Sequence, residues 1–401
     1  MHVDLNSCFA TIEQQANPLL RGKPIGVVPY GGESSIIIAP SIEAKRFGIK
    51  TGMRVREARL LYPNLITRIS DPAKYRDVHL KFRKIFKTYT PDVTPKSIDE
   101  AVLDFRSMEN LNPDLIRIAK EIKQRMKDEI GEWIICSVGI STNRFLAKLA
   151  ASLHKPDGLD IIDWQNLFKI YESVSLIDLN GINTRFEARL NAAGIYTPID
   201  FKNASVETLK KQVFQSILGY YWYLRLRGFE IDEVIFKTKS VGQDYALQRP
   251  TSDMKELAKL LMKLSEKMGR RLRHQQFIAH GVHVGVLYND GTYWHRGRMM
   301  DGGFNTTFDV FKKVLLVFNQ QLQIKKITHL GVSCYGLDKN TFMQESLFDD
   351  PKLDKVQAAM DDMNDRYGEY VVTPALMMGM TDTIVDRVPF GSTKDLEELY
   401  F

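Results

Sequence analysis

Three carboxylates constrain this chain more than any other feature. Asp4 lies in His-Val-Asp-Leu-Asn-Ser-Cys-Phe-Ala (2–10), and Asp99 and Glu100 lie in Ser-Ile-Asp-Glu-Ala (97–101). Each stands among apolar, strand-like neighbours: Val3 and Leu5 at the first, Ile98, Val102, Leu103 and Phe105 at the second. A buried carboxylate is costly unless it is paired, hydrogen-bonded or bound to metal. Three brought together repel one another, and a hard divalent cation such as Mg²⁺ removes that conflict because it takes carboxylate oxygens together with substrate phosphates and waters. Such a cluster suits phosphoryl-type transfer with one or two metals. Adjacent side chains in a strand interior face opposite ways. Asp99 and Glu100 can therefore share one site only where the backbone turns, and Pro91 and Pro95 predict a hairpin bend there.

With 401 residues and 44% hydrophobic content, the chain is long enough for two to four domains. It has no run of 18 apolar residues, and no basic segment followed by an apolar one at the N-terminus. The expectation is a cytoplasmic protein with no membrane partner. Cys8, Cys136 and Cys334 lack metal-ligand spacing. Cys8 and Cys136 sit in apolar, strand-like runs and read as buried thiols of a reducing compartment. The net charge of +6 is unevenly spread: residues 341–401 hold five Lys and Arg against thirteen Asp and Glu, leaving +14 on the first 340. A basic body with an acidic tail points to a polyanion-binding core and a separate tail, though a solvated surface accounts for the charge equally well.

Residues 2–10, 24–28 and 35–39 read as short strands. Helical spacing of Val78, Phe82, Ile85, Phe86 and Tyr89 predicts a helix over 74–89, and Leu115, Ile118, Ala119, Ile122 and Met126 predict another over 114–128. Residues 133–140 read as a buried strand, followed by a helix to about His154 with Ser141 as N-cap. Strands and helices without regular βαβ repetition predict an α+β sheet of palm type. Residues 162–231 read as helical. Within them Leu-Asn-Gly-Ile-Asn (179–183) resembles a helix-hairpin-helix, whose glycine, Gly181, would let backbone N–H groups approach a DNA phosphate. An ordinary helix–helix turn fits those five residues nearly as well. Residues 232–240 read as a linker. A strand, a helix at 253–274, strands over 277–298, a helix at 307–320 and a strand at 325–335 then form a βαββαβ unit. Lys263, Lys267, Arg270, Arg271 and Arg273 cluster near its first helix, and Arg296 and Arg298 decorate a strand. Phosphate contact and a solvated helix face both fit this pattern.

Together these segments resemble the Y-family DNA polymerases, the translesion enzymes that include bacterial DNA polymerase IV and UmuC. The matching runs are Val3–Ala10, Asn17–Pro24, Ile42–Met53, Ser97–Ala101, Ser137–Asn143, Lys148 and Lys155–Gly158, in the family's order and spacing. The resemblance spans roughly residues 2–350. It implies a right-hand α+β polymerase: a palm from 1–10 and 71–161, small fingers from 11–70, a helical thumb with the helix-hairpin-helix from 162–231, and a little finger from 241–340.

The resemblance assigns Asp4, Asp99, Glu100 and the Leu5 backbone carbonyl to two Mg²⁺ ions, with Mn²⁺ able to substitute. Phe9, which alone reads as a core residue, matches the steric gate that excludes a ribose 2′-hydroxyl. Cys8, Lys45 and Lys155 fall at nucleotide-binding positions. Lys45 stands where many members carry arginine and Ile42 where many carry tyrosine; the UmuC branch shares the Glu-Ala-Lys. Lysine is a point charge where arginine is a planar fork, so the triphosphate grip is arranged differently. Asn6 replaces a second aspartate, as in UmuC, and is not expected to ligate metal. Lys239, Ser240 and Gly242, in Lys-Ser-Val-Gly, match a family motif that meets a DNA phosphate, and Gly181, Arg296 and Arg298 complete the expected DNA contacts. Gln344, Leu347 and Phe348 resemble the bacterial sliding-clamp peptide within an acidic tail from 341 to 401, with an amphipathic helix expected after it over 352–366; a Gln hydrogen bond and an apolar Leu-Phe pair suit a docking pocket.

The expected activity is template-directed, low-fidelity addition of dNTPs to a primer on template DNA, by a monomer without proofreading. A catalytically inactive accessory protein that binds DNA and clamp is the alternative, marked by loss of the acidic triad, which here is intact. A nucleotidyl cyclase would not need the DNA-gripping segments.

Overall fold

The computed structural model describes residues 1–111, 113–231, 238–321, 325–339, 351–368 and 370–380. The chain divides into two units at about residue 234.

The first unit opens with β1 (His2–Leu5), α1 (Cys8–Ala16), β2 (Ile25–Val28), β3 (Ala39–Pro40), α2 (Ile42–Arg46), α3 (Val55–Leu61) and β4 (Ile66–Ile69). It continues through α4 (Pro72–Lys87), β5 (Val93–Pro95), β6 (Glu100–Leu103), α5 (Leu115–Arg125), β7 (Cys136–Ser141), α6 (Arg144–Leu153) and β8 (Leu159–Ile162). Five strands form one sheet in the order β5-β6-β1-β7-β8, and β3-β2-β4 form a small second sheet. The expected strand over 2–10 therefore stops at Leu5. Cys8, Phe9 and Ala10 turn into a helix because Ser7 adopts a left-handed φ of 51°, which ends the strand. Cys8 is thus a buried helix residue, while Cys136 is a buried strand residue as expected. The run 35–39 is mostly irregular, with a bridge from Ile36 to Arg54 and a two-residue strand at Ala39–Pro40.

Helix α4 starts at Pro72 with Asp71 as its cap and buries Tyr75, Val78, Phe82, Ile85 and Phe86, the face that the periodicity predicts. Ser141 is not an N-cap. It closes β7, and Asn143 caps α6 by accepting from the Leu146 N–H. Helix α6 lies directly on the sheet at Gly139, where a Cβ would sit 2.0 Å from the Ala147 carbonyl oxygen. Only glycine allows that approach. The opposite face of α6, with Phe145, Leu146 and Leu149, joins a helical layer made by α7 (Leu167–Ser173), α8 (Thr184–Ala192), α9 (Pro198–Asn203) and α10 (Leu218–Arg225).

The second unit has β9 (Ser240–Thr251), α11 (Met254–His274), β10 (Phe277–Tyr288), β11 (Tyr293–Phe304), α12 (Thr307–Phe318) and β12 (Ile327–Lys339). This is the expected βαββαβ order, folded as an antiparallel sheet β11-β10-β12-β9. Val282, Val284 and Val286 alternate inward beneath Leu257, Leu261, Leu264 and Leu272 of α11. The acidic C-terminal segment is more than a tail. Helix α13 (Pro351–Tyr367) pairs Asp361 with Arg273 through two hydrogen bonds, and Met377 and Met380 enter the core. Lys263 is 1% exposed and donates to the Met380 carbonyl at 2.7 Å. The basic cluster on α11 is therefore largely a packing surface, since Arg270 also pairs with Asp365. Gln344, Leu347 and Phe348 lie outside the described residues.

Candidate active site

Register places the acids. Strands β1 and β6 are antiparallel with Asp4 opposite Glu100, and directly opposed residues point to the same face. Asp99 stands just before β6 in the bend after β5, and its carbonyl accepts from the Leu5 N–H at 2.9 Å. The bend expected after Pro95 is present, and it frees the Asp99 side chain from strand alternation.

Two lysines from elsewhere in the fold offset this negative charge. Lys155 Nζ is 2.8 Å from Asp4 Oδ2, and Lys148 Nζ of α6 is 2.7 Å from Glu100 Oε2. His2, 1% exposed, brings its Nε2 to 3.4 Å from the same Glu100 oxygen. Among the described residues, His2, Asp4 and Glu100 form the group whose ligand atoms all lie within 4.8 Å of one another. Asp99 lies outside that group, but its charge is felt there.

The acids diverge electrostatically. Burial pushes the Asp99 carboxyl above its usual range; the Ser97 hydroxyl opposes this, and the charges of Asp4 and Glu100 add to it. Burial also raises Glu100, but the His2 ring and the Lys148 ammonium outweigh it and hold that carboxyl at about 2. Burial raises the Cys8 thiol, reinforced by Asp99 and Asp4, so it remains protonated. Lys45 is exposed, yet partial desolvation and then the Lys155 charge lower its pKa, against the pull of Asp4 and Asp99. Lys45, Lys155, Asp4 and Asp99 thus share one electrostatic environment.

The oxygen donors Asp4, Asp99, Glu100 and the Leu5 carbonyl have the chemistry of a hard divalent cation site. The ammonium groups on Asp4 and Glu100 show that this face recruits positive charge. Asn6 does other work. It is 4% exposed, its Oδ1 accepts from the Asp157 N–H at 2.7 Å, and its amide lies 3.1 Å from Ser137 Oγ. Ser137 in turn accepts from the Gly158 N–H at 3.2 Å. This buried network fixes the loop that carries Lys155.

Phe9 lies on the first turn of α1, in the core cluster, with its ring stacked on Tyr75 at 4.2 Å between centroids. Gly181 is exposed, with φ 100°, in the turn before α8. A Cβ there would meet Trp222 at 3.2 Å. In the second unit, Lys239, Ser240 and Gly242 are exposed at the start of edge strand β9. Arg296 and Arg298 are exposed on the other edge strand, β11, opposite Val284 and Val282. Three strand spacings, about 14 Å, separate the two groups.

Residues 3–152 match the model of the impB/mucB/samB family, and 238–347 match that family's C-terminal domain. A DNA polymerase IV of Moorella thermoacetica is 32% identical over 385 residues, covering 94% of this chain and 95% of the relative. One from Pelotomaculum thermopropionicum is 30% identical over 394 residues, covering 96% of each. The chain belongs to the Y-family of DNA polymerases. A solved Y-family DNA polymerase chimera of Dbh and Dpo4 has the same fold, with a TM-score of 0.72 and 23% identity over 84% of this chain and 99% of the other.

Sequence reasoning passed over His2, Glu13 and Tyr75, and matched Ser137 and Lys148 to the family without giving them a role. His2 was findable, because it is two residues from Asp4 and so shares its strand face. Tyr75 and Lys148 reach the site through tertiary packing, which no local spacing reveals.

Proposed function

We propose that this chain is a translesion DNA polymerase of the cytoplasm that adds dNTPs to a primer 3′-hydroxyl by two-metal phosphoryl transfer, with no proofreading step of its own. The observation that carries this reading is the register of β1 against β6, which sets Asp4 across from Glu100 with Asp99 on the adjoining bend. The relatives named DNA polymerase IV support the substrate class: primer–template DNA and deoxynucleotides.

The primer 3′-oxygen attacks the α-phosphorus, and pyrophosphate leaves. Asp4, Asp99, Glu100 and the Leu5 carbonyl would hold Mg²⁺, which when bound would supply Lewis-acid stabilisation of the charge that develops. Lys155 and Lys45 bind triphosphate oxygens as ammonium donors. The Asn6–Ser137 network keeps the Lys155 loop in place, so that lysine needs no reorganisation on binding. Phe9 fills the space that a 2′-hydroxyl would need. Lys239, Ser240 and Gly242 on one edge of the second domain, Arg296 and Arg298 on the other, and Gly181 in the thumb contact DNA phosphates. Residues 344–348 dock on the bacterial sliding clamp.

Primer extension by Asp99→Ala tests the reading. Nucleotide addition is expected to vanish while primer–template binding stays within about twofold; unchanged extension would remove the metal assignment. Deleting 344–348 is expected to abolish clamp-stimulated synthesis and spare basal extension.

A further inference from the structure

The gate residue does not stand alone. Phe9 and Glu13 are four residues apart on α1 and share one helix face. Both touch Tyr75 of α4. The Phe9 ring lies on the Tyr75 ring with 10° between planes, and the Tyr75 hydroxyl donates to Glu13 Oε1 at 3.0 Å. Lys74, next to Tyr75, reaches both Glu13 oxygens at 3.1 and 3.0 Å. Tyr75 is 1% exposed and Glu13 4% exposed. A carboxylate this deep persists only when hydrogen-bonded or paired, and here its partners are the phenol and its neighbouring ammonium. Burial also keeps the Tyr75 phenol protonated, so it remains a donor.

This closes a cycle from α1 to α4 and back. Tyr75 is pinned at its ring by Phe9 and at its hydroxyl by Glu13, which accepts its hydrogen bond, and by the Asp71 backbone, so its plane is fixed and the Phe9 plane with it. The Ser7 N-cap makes no side-chain capping hydrogen bond; the first turn is held by core packing of Cys8, Phe9 and Ala10 and by the Thr11 hydroxyl, which donates to the Asn6 carbonyl. We propose that Glu13 is a positioning residue for sugar selection, acting through the Tyr75 hydroxyl to fix the tilt of the Phe9 ring. This rests on the reading of Phe9 as the gate. Without the Glu13 acceptor, Tyr75 can rock about its ring contact, and Phe9 can tilt away from the position of a 2′-hydroxyl.

The test is single-nucleotide insertion of dNTP and matching rNTP by the full chain on primed DNA, for wild type, Phe9→Ala, Glu13→Ala, Glu13→Gln and Tyr75→Phe. The ratio of the two kcat/KM values is the readout, because a lower active fraction cancels in it. Glu13→Ala and Tyr75→Phe are expected to raise relative ribonucleotide use about tenfold, with the change in the ribonucleotide arm. Glu13→Gln keeps an acceptor for the phenol and is expected to restore discrimination. Should Phe9→Ala admit ribonucleotides while Glu13→Ala and Tyr75→Phe discriminate like wild type, the relay is wrong and the gate stands. Should Phe9→Ala still exclude ribonucleotides, the gate and the relay both fall. If Glu13→Ala does not fold, Tyr75→Phe decides between these outcomes.

Discussion

The palm and the second domain use charge in opposite ways. In the palm, strands of three to six residues bring Asp4, Asp99 and Glu100 together, and lysines from α6 and the 155–158 loop offset them. The charges are concentrated, and the acids diverge in acidity. In the second domain, strands of twelve or thirteen residues make a broad sheet, and the densest cations lie on its covering helix. There Arg273 and Lys263 hold the C-terminal segment in place. Charge is thus gathered at one site in the first domain and serves cohesion in the other. A basic cluster in sequence is a poor guide to a nucleic-acid face until its partners are known.

That contrast can be broken most sharply at Glu100. Replacing it with alanine is expected to lower kcat about a thousandfold, measured by single-turnover insertion, a loss far beyond the fall in stability that goes with its Lys148 and His2 pairing. A large loss of stability with retained turnover would make the palm acids structural. Next in size is Gly139→Ala, which forces a Cβ against the α6 backbone and is expected to cost about 3 kcal/mol in denaturant unfolding. Arg273→Ala is expected to cost about 2–3 kcal/mol, because it removes the Asn305 carbonyl's donor and the charge partner of Asp361, which keeps only the Gln357 amide. DNA affinity should fall little in that variant. A loss of binding with intact stability would return α11 to the DNA-contacting surface.

The acid limb is a smaller effect. Glu100 is depressed from 4.5 to about 2, so the stability it contributes is present above about 4.5 and is lost as pH falls toward 2. Glu100→Gln should flatten the stability profile in that window; an unchanged profile would contradict the His2 and Lys148 pairing. Smallest is Lys239→Ala, expected to reduce the salt dependence of DNA binding by about one phosphate contact. No change in slope would take Lys239 off the DNA.

Legibility in sequence followed locality. The βαββαβ order was readable because its strands alternate and its helices carry long apolar stripes. The hairpin bend at Asp99 followed from two prolines and from the need to free one carboxylate. Where a short backbone choice decided, the reading failed: Ser7 ends β1 early, and Asn143 replaces Ser141 as the cap because β7 runs one residue further. The pairing of Lys148 with Glu100 and the stacking of Tyr75 on Phe9 link positions 48 and 66 residues apart. Such contacts come from tertiary packing, and no periodicity encodes them. In the C-terminal segment the helix expected over 352–366 is present as α13, but composition did not reveal that its Asp361 and Asp365 are complements to α11.

The most direct measurement is primer extension on a primed DNA template with dNTPs and Mg²⁺, comparing the wild-type chain with Asp4→Ala. Extension by the wild type, lost in the variant while both bind primer–template, is the predicted result. Extension that survives Asp4→Ala, or its absence in a wild type that still binds primer–template, would contradict the polymerase site described for β1 and β6.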